Sequence, residues 1–264
     1  MKRPNSVVLF LIDSLRPDGL KQADTPHLDR MISDGAHTFS AQTVVPSKTL
    51  TCHTSLFFSV EPDVHGVTTN TWQPLNHPIS GLFEVIFEAG LNSITFFNWE
   101  QLRDLHQPGS VQAAFYLKDD KSPENDSDQG LAALAVDHFT KHRVDFAFIF
   151  FHQTDAAGHR DGWMSEPYLR AIANADRCIG KILKVLPEET VVMITADHGG
   201  LDHSHGADSP EETTIPFIVK GPGIPSGYRI ERPVRITDIA PTITSFLAVE
   251  TPSEWIGKAV TFSS

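Results

Sequence analysis

The chain of 264 residues has 40% hydrophobic and 20% charged residues, which is the composition of a globular protein with a sizeable core. Its formal net charge of −12 argues against long nucleic acid or an acidic membrane surface as a partner, but a small phosphorylated ligand is compatible if bound metal reverses the local potential. With two cysteines, Cys52 and Cys178, no disulfide framework is expected. The apolar runs are too short to span a membrane, and the first one is interrupted by Asp13 without a signal-peptide cleavage pattern, so we expect a soluble, cytoplasmic protein.

Strand-like and helix-like segments alternate along the chain. Near-continuous apolar runs, typical of parallel strands covered on both faces, predict strands at 6–12, 93–97, 145–151, 190–195 and 215–221. Helical patterns lie at 25–34, 49–60, 79–89, 128–142, 167–186 and 237–247. The alternation predicts a doubly wound three-layer α/β/α sandwich with a mostly parallel central sheet, formed by residues 1–264 as one domain. The irregular stretch 98–130 is expected to form a flap over one end of the sheet.

Three predicted strands are followed by an aspartate: Asp13, Asp155 and Asp197. Carboxyl ends of parallel strands line the crevice where ligands bind in open α/β sheets. Each aspartate alone could be a helix cap, but His159 and His198 accompany two of them. Crowded carboxylates repel one another, and a divalent cation or a pair of cations removes that penalty. Mixed Asp and His ligands favour zinc, with manganese or iron as alternatives.

Thr49 is expected at the N-terminus of a helix, after Pro46 and Ser47 break the preceding extended segment. Unpaired amides at a helix N-terminus favour negative charge. The residue could be a plain N-cap threonine. Beside a dinuclear metal site, however, its hydroxyl would lose a proton more easily and become a competent nucleophile.

Six segments in this order resemble the alkaline phosphatase superfamily: LIDSLRPD, TPHLDRM, PSKTLTCH, TDAAGH, ADHGG and DIAPTI. The sequence is most similar to the nucleotide pyrophosphatase/phosphodiesterase branch, over about residues 5–260. The resemblance implies the α/β sandwich fold and two bound metals, usually zinc. It also implies a small phosphorylated substrate, such as a nucleotide or another phosphodiester.

The resemblance implies a set of metal ligands. Each ligand position except the last is matched by one residue of this chain. One metal would be held by Asp13, Thr49, Asp197 and His198, and the other by Asp155, His159 and a later histidine. We favour His205 for that place, because His-Gly ahead of the IPFIVKGPG strand is the usual family form. His203 is the alternative, and it could equally be a solvated loop residue.

Roles in catalysis and substrate binding follow from the same resemblance. Thr49 matches the nucleophile that forms a covalent phosphothreonine, and Asn70 matches an asparagine whose amide donates to a phosphoryl oxygen. Asn70 could also be a simple turn residue. Leu50 and Phe150 match positions that flank a nucleobase. We therefore expect a two-metal hydrolase of phosphodiester or pyrophosphate bonds.

Other readings stay open at this point. A phosphomonoesterase or a phosphonate hydrolase of the same superfamily is the main alternative, and a metal-binding module without turnover is a further one. A sulfatase would need a modified cysteine or serine, and a phosphosugar mutase normally carries a large inserted cap. Neither Arg16 nor Arg160 could be assigned to clamping two free phosphate oxygens, which favours a diester or pyrophosphate substrate.

Overall fold

The computed structural model describes residues 6–119 and 126–262, and the strands of this part form one sheet. The strands are β1 (Val7–Ile12), β2 (Ala36–Gln42), β3 (Ser93–Phe97), β4 (Ala113–Tyr116), β5 (Phe146–Phe151), β6 (Val191–Thr195), β7 (Thr214–Lys220) and β8 (Tyr228–Arg229). Their order in the sheet is β4-β3-β5-β1-β6-β7-β2-β8. β7 runs antiparallel to both of its neighbours, whereas the other described pairings are parallel.

Helices cover both faces of the sheet. They are α1 (Pro17–Gln22), α2 (Pro26–Asp34), α3 (Thr49–Phe58), α4 (Pro62–His65), α5 (Leu82–Glu88), α6 (Ser127–Lys141), α7 (Gln153–Asp161), α8 (Glu166–Leu183), α9 (Pro210–Thr213) and α10 (Ile239–Leu247), with 3₁₀ turns at Glu100–Leu105 and Ile236–Asp238. α2, α6 and α7 pack on α8, while α3, α5 and α10 pack together as a second group. The doubly wound three-layer sandwich is confirmed, and the assignment of 1–264 to one domain stays a prediction. None of the described helices is long and apolar enough to cross a bilayer.

All five predicted strands are present within one residue of their expected bounds. The sheet has three further strands, β2, β4 and β8. The sequence analysis did not predict them, because they are short or mixed in polarity. β2 alternates between buried and exposed positions and is recognised through its antiparallel pairing with β7. β7 itself is as apolar as its parallel neighbours, since both of its faces are covered. Its direction therefore could not be read from its composition.

The predicted flap at 98–130 is largely part of the main fold. It supplies the 3₁₀ turn Glu100–Leu105, the edge strand β4 and the start of α6, while residues 120–125 lie outside the described part. β4 pairs parallel to β3, and the ring of Phe115 stacks on that of Phe96 with centroids 4.9 Å apart. Short portions on either side of β4 still reach the carboxyl end of the sheet, where they line the cavity described below.

Candidate metal centre

Three neighbouring central strands deliver the three predicted aspartates to one place. β5, β1 and β6 are adjacent in the sheet. Asp13 directly follows β1, Asp197 lies two residues beyond β6, and Asp155 lies in the first turn of α7 after β5. Because these strands are parallel, their carboxyl ends meet at the same edge, and the side chains converge as the sequence predicts.

The three carboxylates are buried, and each has an oxygen without a hydrogen-bond partner among the described residues: Asp13 Oδ1, Asp155 Oδ1 and Asp197 Oδ2. Burial, reinforced by repulsion from the other two carboxylates, raises the pKa of Asp13 well above its usual range. Burial also raises the pKa of Asp197, although His53 and the Ser14 amide act in the opposite direction. Such a cluster is unfavourable by itself, and a cation bound to the unpartnered oxygens would remove that penalty.

Backbone carbonyls fix the orientation of His198, which is buried, and of His205, which is partly buried. His198 Nδ1 donates to Gly199 O at 2.7 Å, and His205 Nδ1 donates to Ser47 O at 2.7 Å. Since a carbonyl can only accept, the proton is held on Nδ1 and the Nε2 lone pair is left for a metal. Burial lowers the pKa of His198, and burial together with the neighbouring His198 lowers that of His205 to about 4. Both rings are therefore neutral ligands near neutral pH, stacked with centroids 3.9 Å apart.

His159 and His203 bind each other's backbone. His159 Nδ1 donates to His203 O at 3.0 Å, and His203 Nδ1 donates to His159 O at 3.2 Å. His159 Nε2 lies 3.5 Å from Asp155 Oδ2, although its side chain is 45% exposed. His205 Nε2 is 3.7 Å from the other Asp155 oxygen and its side chain is 7% exposed, whereas His203 is exposed and holds the His159 loop. The geometry favours His205 as the ligand.

His152 was missed by the sequence analysis. It directly follows β5, three residues before Asp155, and its Nδ1 donates to Asp13 Oδ2 at 2.8 Å. The residue is largely buried and lines the cavity at the carboxyl end of the sheet. A histidine directly after a central strand was the available signal, because Asp13 has the same position relative to β1.

The donor set suits a divalent metal. Carboxylate oxygens and neutral imidazole nitrogens from three overlapping groups lie within 4.8 Å of one another in each group: Asp155, His198 and His205; Asp13, His152 and Asp155; Asp13, Asp197 and His198. This mixture of O and N donors is the one that zinc and manganese accept. Because the groups share members, they describe adjoining positions in one centre.

Thr49 is the first residue of α3 and adjoins this centre. Its hydroxyl donates to His198 Nε2 at 3.2 Å, so the oxygen sits beside a predicted metal ligand. Asn70 is fixed to the same helix end, because its Oδ1 accepts from the Leu50 amide at 3.1 Å. This bond leaves the Asn70 Nδ2 as a donor. Thr49, Asn70 and His205 all line one cavity.

That cavity has a volume of about 640 Å³ and opens at the carboxyl end of the sheet. Its metal-side wall contains Thr49, Asp155, His159 and His205, and the opposite wall comes from the segments around β4. Trp99 on that wall lies parallel to the His152 ring, with centroids 6.4 Å apart. The space is large enough for a small organic phosphate.

The predicted contact of Phe150 with a nucleobase is wrong, because the side chain lies inside the protein. Phe150 is 0% exposed and its ring contacts those of His53 and Phe148. An uninterrupted apolar strand is covered on both faces, so no side chain within it is available to a ligand. Leu50 is also buried, and it borders a different cavity that includes Trp72.

Two glycines let the loop after β6 pass close to its neighbours. A Cβ at Gly199 would overlap the backbone oxygen of Glu211, and one at Gly200 would overlap the Trp163 indole. The Gly199 amide donates to Glu212 O at 2.8 Å, which anchors the loop. The close approach explains why glycines directly follow Asp197 and His198.

A buried polar network places α7, the helix that carries Asp155. Asp128 in α6 is fully buried, and its Oδ1 accepts from Asn98 Nδ2 at 2.7 Å and from the His152 amide at 3.2 Å. It also accepts from the Gln153 amide. Asp128 thus serves as a cap for the first turn of α7, although it comes from another helix. Burial raises the pKa of this carboxyl to about 7, against the lowering effect of Asn98.

Solved structures show the same fold. The inactive murine ectonucleotide pyrophosphatase/phosphodiesterase 5 in complex with AMP superposes with a TM-score of 0.78 at 16% identity, covering 98% of both chains. The phosphonate monoester hydrolase of Silicibacter pomeroyi gives a TM-score of 0.74 at 17% identity, covering 97% of this chain and 76% of the hydrolase. A 2-O GAG sulfatase gives 0.75 at 19% identity, covering 98% of this chain and 73% of the sulfatase.

Curated relatives are similar over part of their length. The 2,3-bisphosphoglycerate-independent phosphoglycerate mutase of Clostridioides difficile (strain 630) is 29% identical over 160 residues, which are 58% of this chain and 30% of the mutase. The mutase of Staphylococcus aureus (strain N315) is 31% identical over 131 residues, 47% of this chain and 25% of the mutase. The chain therefore spans less than a third of the length of these relatives.

The profile of one family covers most of the chain. It is described as type I phosphodiesterase / nucleotide pyrophosphatase and matches residues 7–213, from β1 to the end of α9. The matched range contains Thr49 and every residue placed in the metal centre above. The chain belongs to the type I phosphodiesterase / nucleotide pyrophosphatase family.

Proposed function

We propose that the protein is a two-metal hydrolase that cleaves phosphodiester or pyrophosphate bonds of small phosphorylated substrates, with Thr49 as the nucleophile. The observation that carries this proposal is the position of the Thr49 hydroxyl, 3.2 Å from His198 Nε2 and beside three buried carboxylates with unpartnered oxygens. The proposed metals are zinc ions, with manganese or iron as alternatives, and the proposed location is the cytoplasm.

The site residues divide into those that hold metal and those that contact substrate. Asp13, Asp155 and Asp197, with His198 and His205, would hold the divalent ions, and His159 completes the Asp155 side. The bound ions would supply positive charge to the phosphoryl oxygens and favour loss of the Thr49 proton. The three histidines are oriented before a substrate arrives, because each donates to a backbone carbonyl.

Thr49 Oγ1 attacks phosphorus, and the P–O bond to the leaving group breaks on the opposite side. The product of this step is a phosphothreonine, which a water molecule then hydrolyses by attacking phosphorus and releasing the threonine oxygen. The Asn70 Nδ2 donates to a phosphoryl oxygen, because its Oδ1 is held by the Leu50 amide and the amide group cannot turn away. Catalysis by positioning and charge stabilisation is typical of phosphoryl transfer.

A phosphomonoesterase is the second candidate, and one observation favours it. The curated relatives are phosphoglycerate mutases, and phosphoglycerate is a phosphate monoester. Against it, the arginine that reaches the cavity, Arg160, has its Nε and Nη2 within 2.9 and 2.7 Å of Asp161 Oδ2, so it is not aimed as a clamp on a terminal phosphate. The proposal for a diester or pyrophosphate therefore takes precedence.

The experiment compares bis-p-nitrophenyl phosphate with p-nitrophenyl phosphate, with zinc or manganese added. Preference for the diester supports the proposed activity, and preference for the monoester supports the second candidate. Thr49→Ala is expected to reduce turnover by about 10³-fold or more, whereas Thr49→Ser, which keeps a hydroxyl, should retain part of it. The metal content of both variants, measured by elemental analysis, should match the wild type. Near-normal hydrolysis by Thr49→Ala would refute the role of this residue.

A further inference from the structure

A second, smaller cavity lies on the other side of α7 and contains three arginines. It has a volume of about 290 Å³, and Arg160, Arg170 and Arg177 are among its lining residues. Gln129 and Gln153 contribute amide groups to the same wall. In a chain with a net charge of −12, three guanidinium groups around one cavity mark a local site for anions.

The arginines are placed by the two packed helices α7 and α8. Arg170 and Arg177 are seven residues apart on α8, with Asn174 between them, so they lie on one face and about 10 Å apart along the helix axis. Arg160 lies near the C-terminal end of α7. Together they form an arc around the cavity, and we refer to Arg160, Arg170 and Arg177 as the arginine pocket.

The arginine pocket is joined to the candidate metal centre by a shared residue. Arg160 lines both the small cavity and the 640 Å³ cavity that contains Thr49. α7 forms the partition, because Asp155, Ala156 and His159 border the large cavity while Gln153 and Ala157 border the small one. The two cavities therefore adjoin at Arg160.

The acidic groups near the pocket leave Arg170 and Arg177 available to an anion. Asp126 lines the cavity, but its Oδ1 accepts from the Gln129 amide at 3.0 Å and its Oδ2 from Gln129 Nε2 at 2.8 Å. Arg160 is paired with Asp161, and Arg170 with Glu166. The side chain of Arg170 is 63% exposed, and a surface pair of this kind is weak and is readily exchanged for a multivalent anion.

Arg177 is held by a neutral partner. Its Nη2 donates to Asn174 Oδ1 at 3.3 Å, and the same oxygen accepts from Gln129 Nε2 at 3.2 Å. Within the described residues no carboxylate lies within 4 Å of its guanidinium group. Asn174 thus orients the arginine and leaves its positive charge for a ligand.

We propose that the arginine pocket binds a second anionic group of the substrate, a phosphate or carboxylate separate from the phosphorus that reacts at Thr49. The preferred substrates are then diesters or pyrophosphates that carry an additional negative charge on the group next to α7. This inference rests on the proposed function, because it assigns the reacting phosphorus to the metal centre.

The test measures binding by titration calorimetry, with thymidine 5′-monophosphate and thymidine 3′,5′-bisphosphate as probes for the metal-loaded protein. The second phosphate is expected to improve the dissociation constant by about three- to tenfold, since two partly exposed arginines contribute and a factor of ten corresponds to two strong surface pairs. The Arg170→Gln, Arg177→Gln double variant should lose this advantage and bind the monophosphate normally. The advantage should also shrink as the salt concentration rises.

A matched control replaces exposed arginines on other surfaces. The Arg103→Gln, Arg143→Gln double variant makes the same change in net charge and should keep the bisphosphate advantage. An advantage that is absent in the wild type, or that survives in the Arg170, Arg177 variant, overturns the proposal. Hydrolysis of bis-p-nitrophenyl phosphate is followed in parallel. If it fails while the arginine-dependent advantage is present, the proposed catalytic function is lost and the anion site is retained.

Discussion

Replacing Asp128 by Asn tests how a buried carboxyl group affects both the stability of the fold and the placement of α7. Asp128 is fully buried, accepts from Asn98 and the His152 amide through Oδ1, and has an Oδ2 without a partner among the described residues. Asparagine has the same shape and can keep the accepting oxygen, so the cap of α7 is preserved. What changes is the charge.

Burial raises the pKa of Asp128 to about 7 from a usual value of 3.8. A carboxyl group whose pKa is raised on folding binds its proton more tightly in the folded state, so its stabilising contribution is present at low pH and is lost as the pH rises through about 7. Three pKa units correspond to about 4 kcal/mol, and roughly 2–3 kcal/mol of this falls between pH 5 and pH 8. The wild type should lose that amount relative to Asp128→Asn over this interval.

The assay is urea unfolding of the metal-free wild type and variant at several pH values, and the difference between their free energies of unfolding is plotted against pH. The difference is expected to shift in favour of Asp128→Asn by about 2–3 kcal/mol between pH 5 and pH 8. Asp137→Asn, which changes an exposed carboxylate of the same helix, should give a flat difference. A flat line for Asp128→Asn would show that the carboxyl group is not desolvated, and the reasoning from its burial would be wrong.

Two further predictions concern other residues near the metal centre. His205→Ala should weaken metal affinity by about 10- to 100-fold, measured by competition with a chromogenic chelator. Replacement of the exposed His203 by alanine should have a much smaller effect, and the reverse order would contradict the assignment of His205 as the ligand. The Cys52 thiol is fully buried, and burial raises its pKa. It should therefore react with 5,5′-dithiobis(2-nitrobenzoate) only after unfolding. Rapid labelling of the native protein would show that α3 opens easily.

The arrangement of the aspartates could be predicted from the sequence because it follows from strand direction. Asp13, Asp155 and Asp197 each follow an apolar run, and carboxyl ends of parallel strands meet at one edge whatever the details of packing. Strand order was not needed for this conclusion. The direction of β7 and the pairing of β2 were beyond reach, because both depend on which strand each one contacts.

The errors in the site arose where a side chain's direction mattered. Phe150 was assigned to substrate by resemblance, but its neighbours in the apolar run FAFIFF show that both faces of β5 are covered. His152 was passed over, although it begins where that run ends and therefore where the side chains first reach the cavity. Asp128 could not be found from the sequence, since its role as a cap for α7 joins residues 24 apart in the chain.

The carbonyl contacts of His198 and His205 have a consequence for ion uptake. Each ring is oriented by a backbone carbonyl, so the entropy of ordering it is spent during folding and would not be spent again when a cation binds.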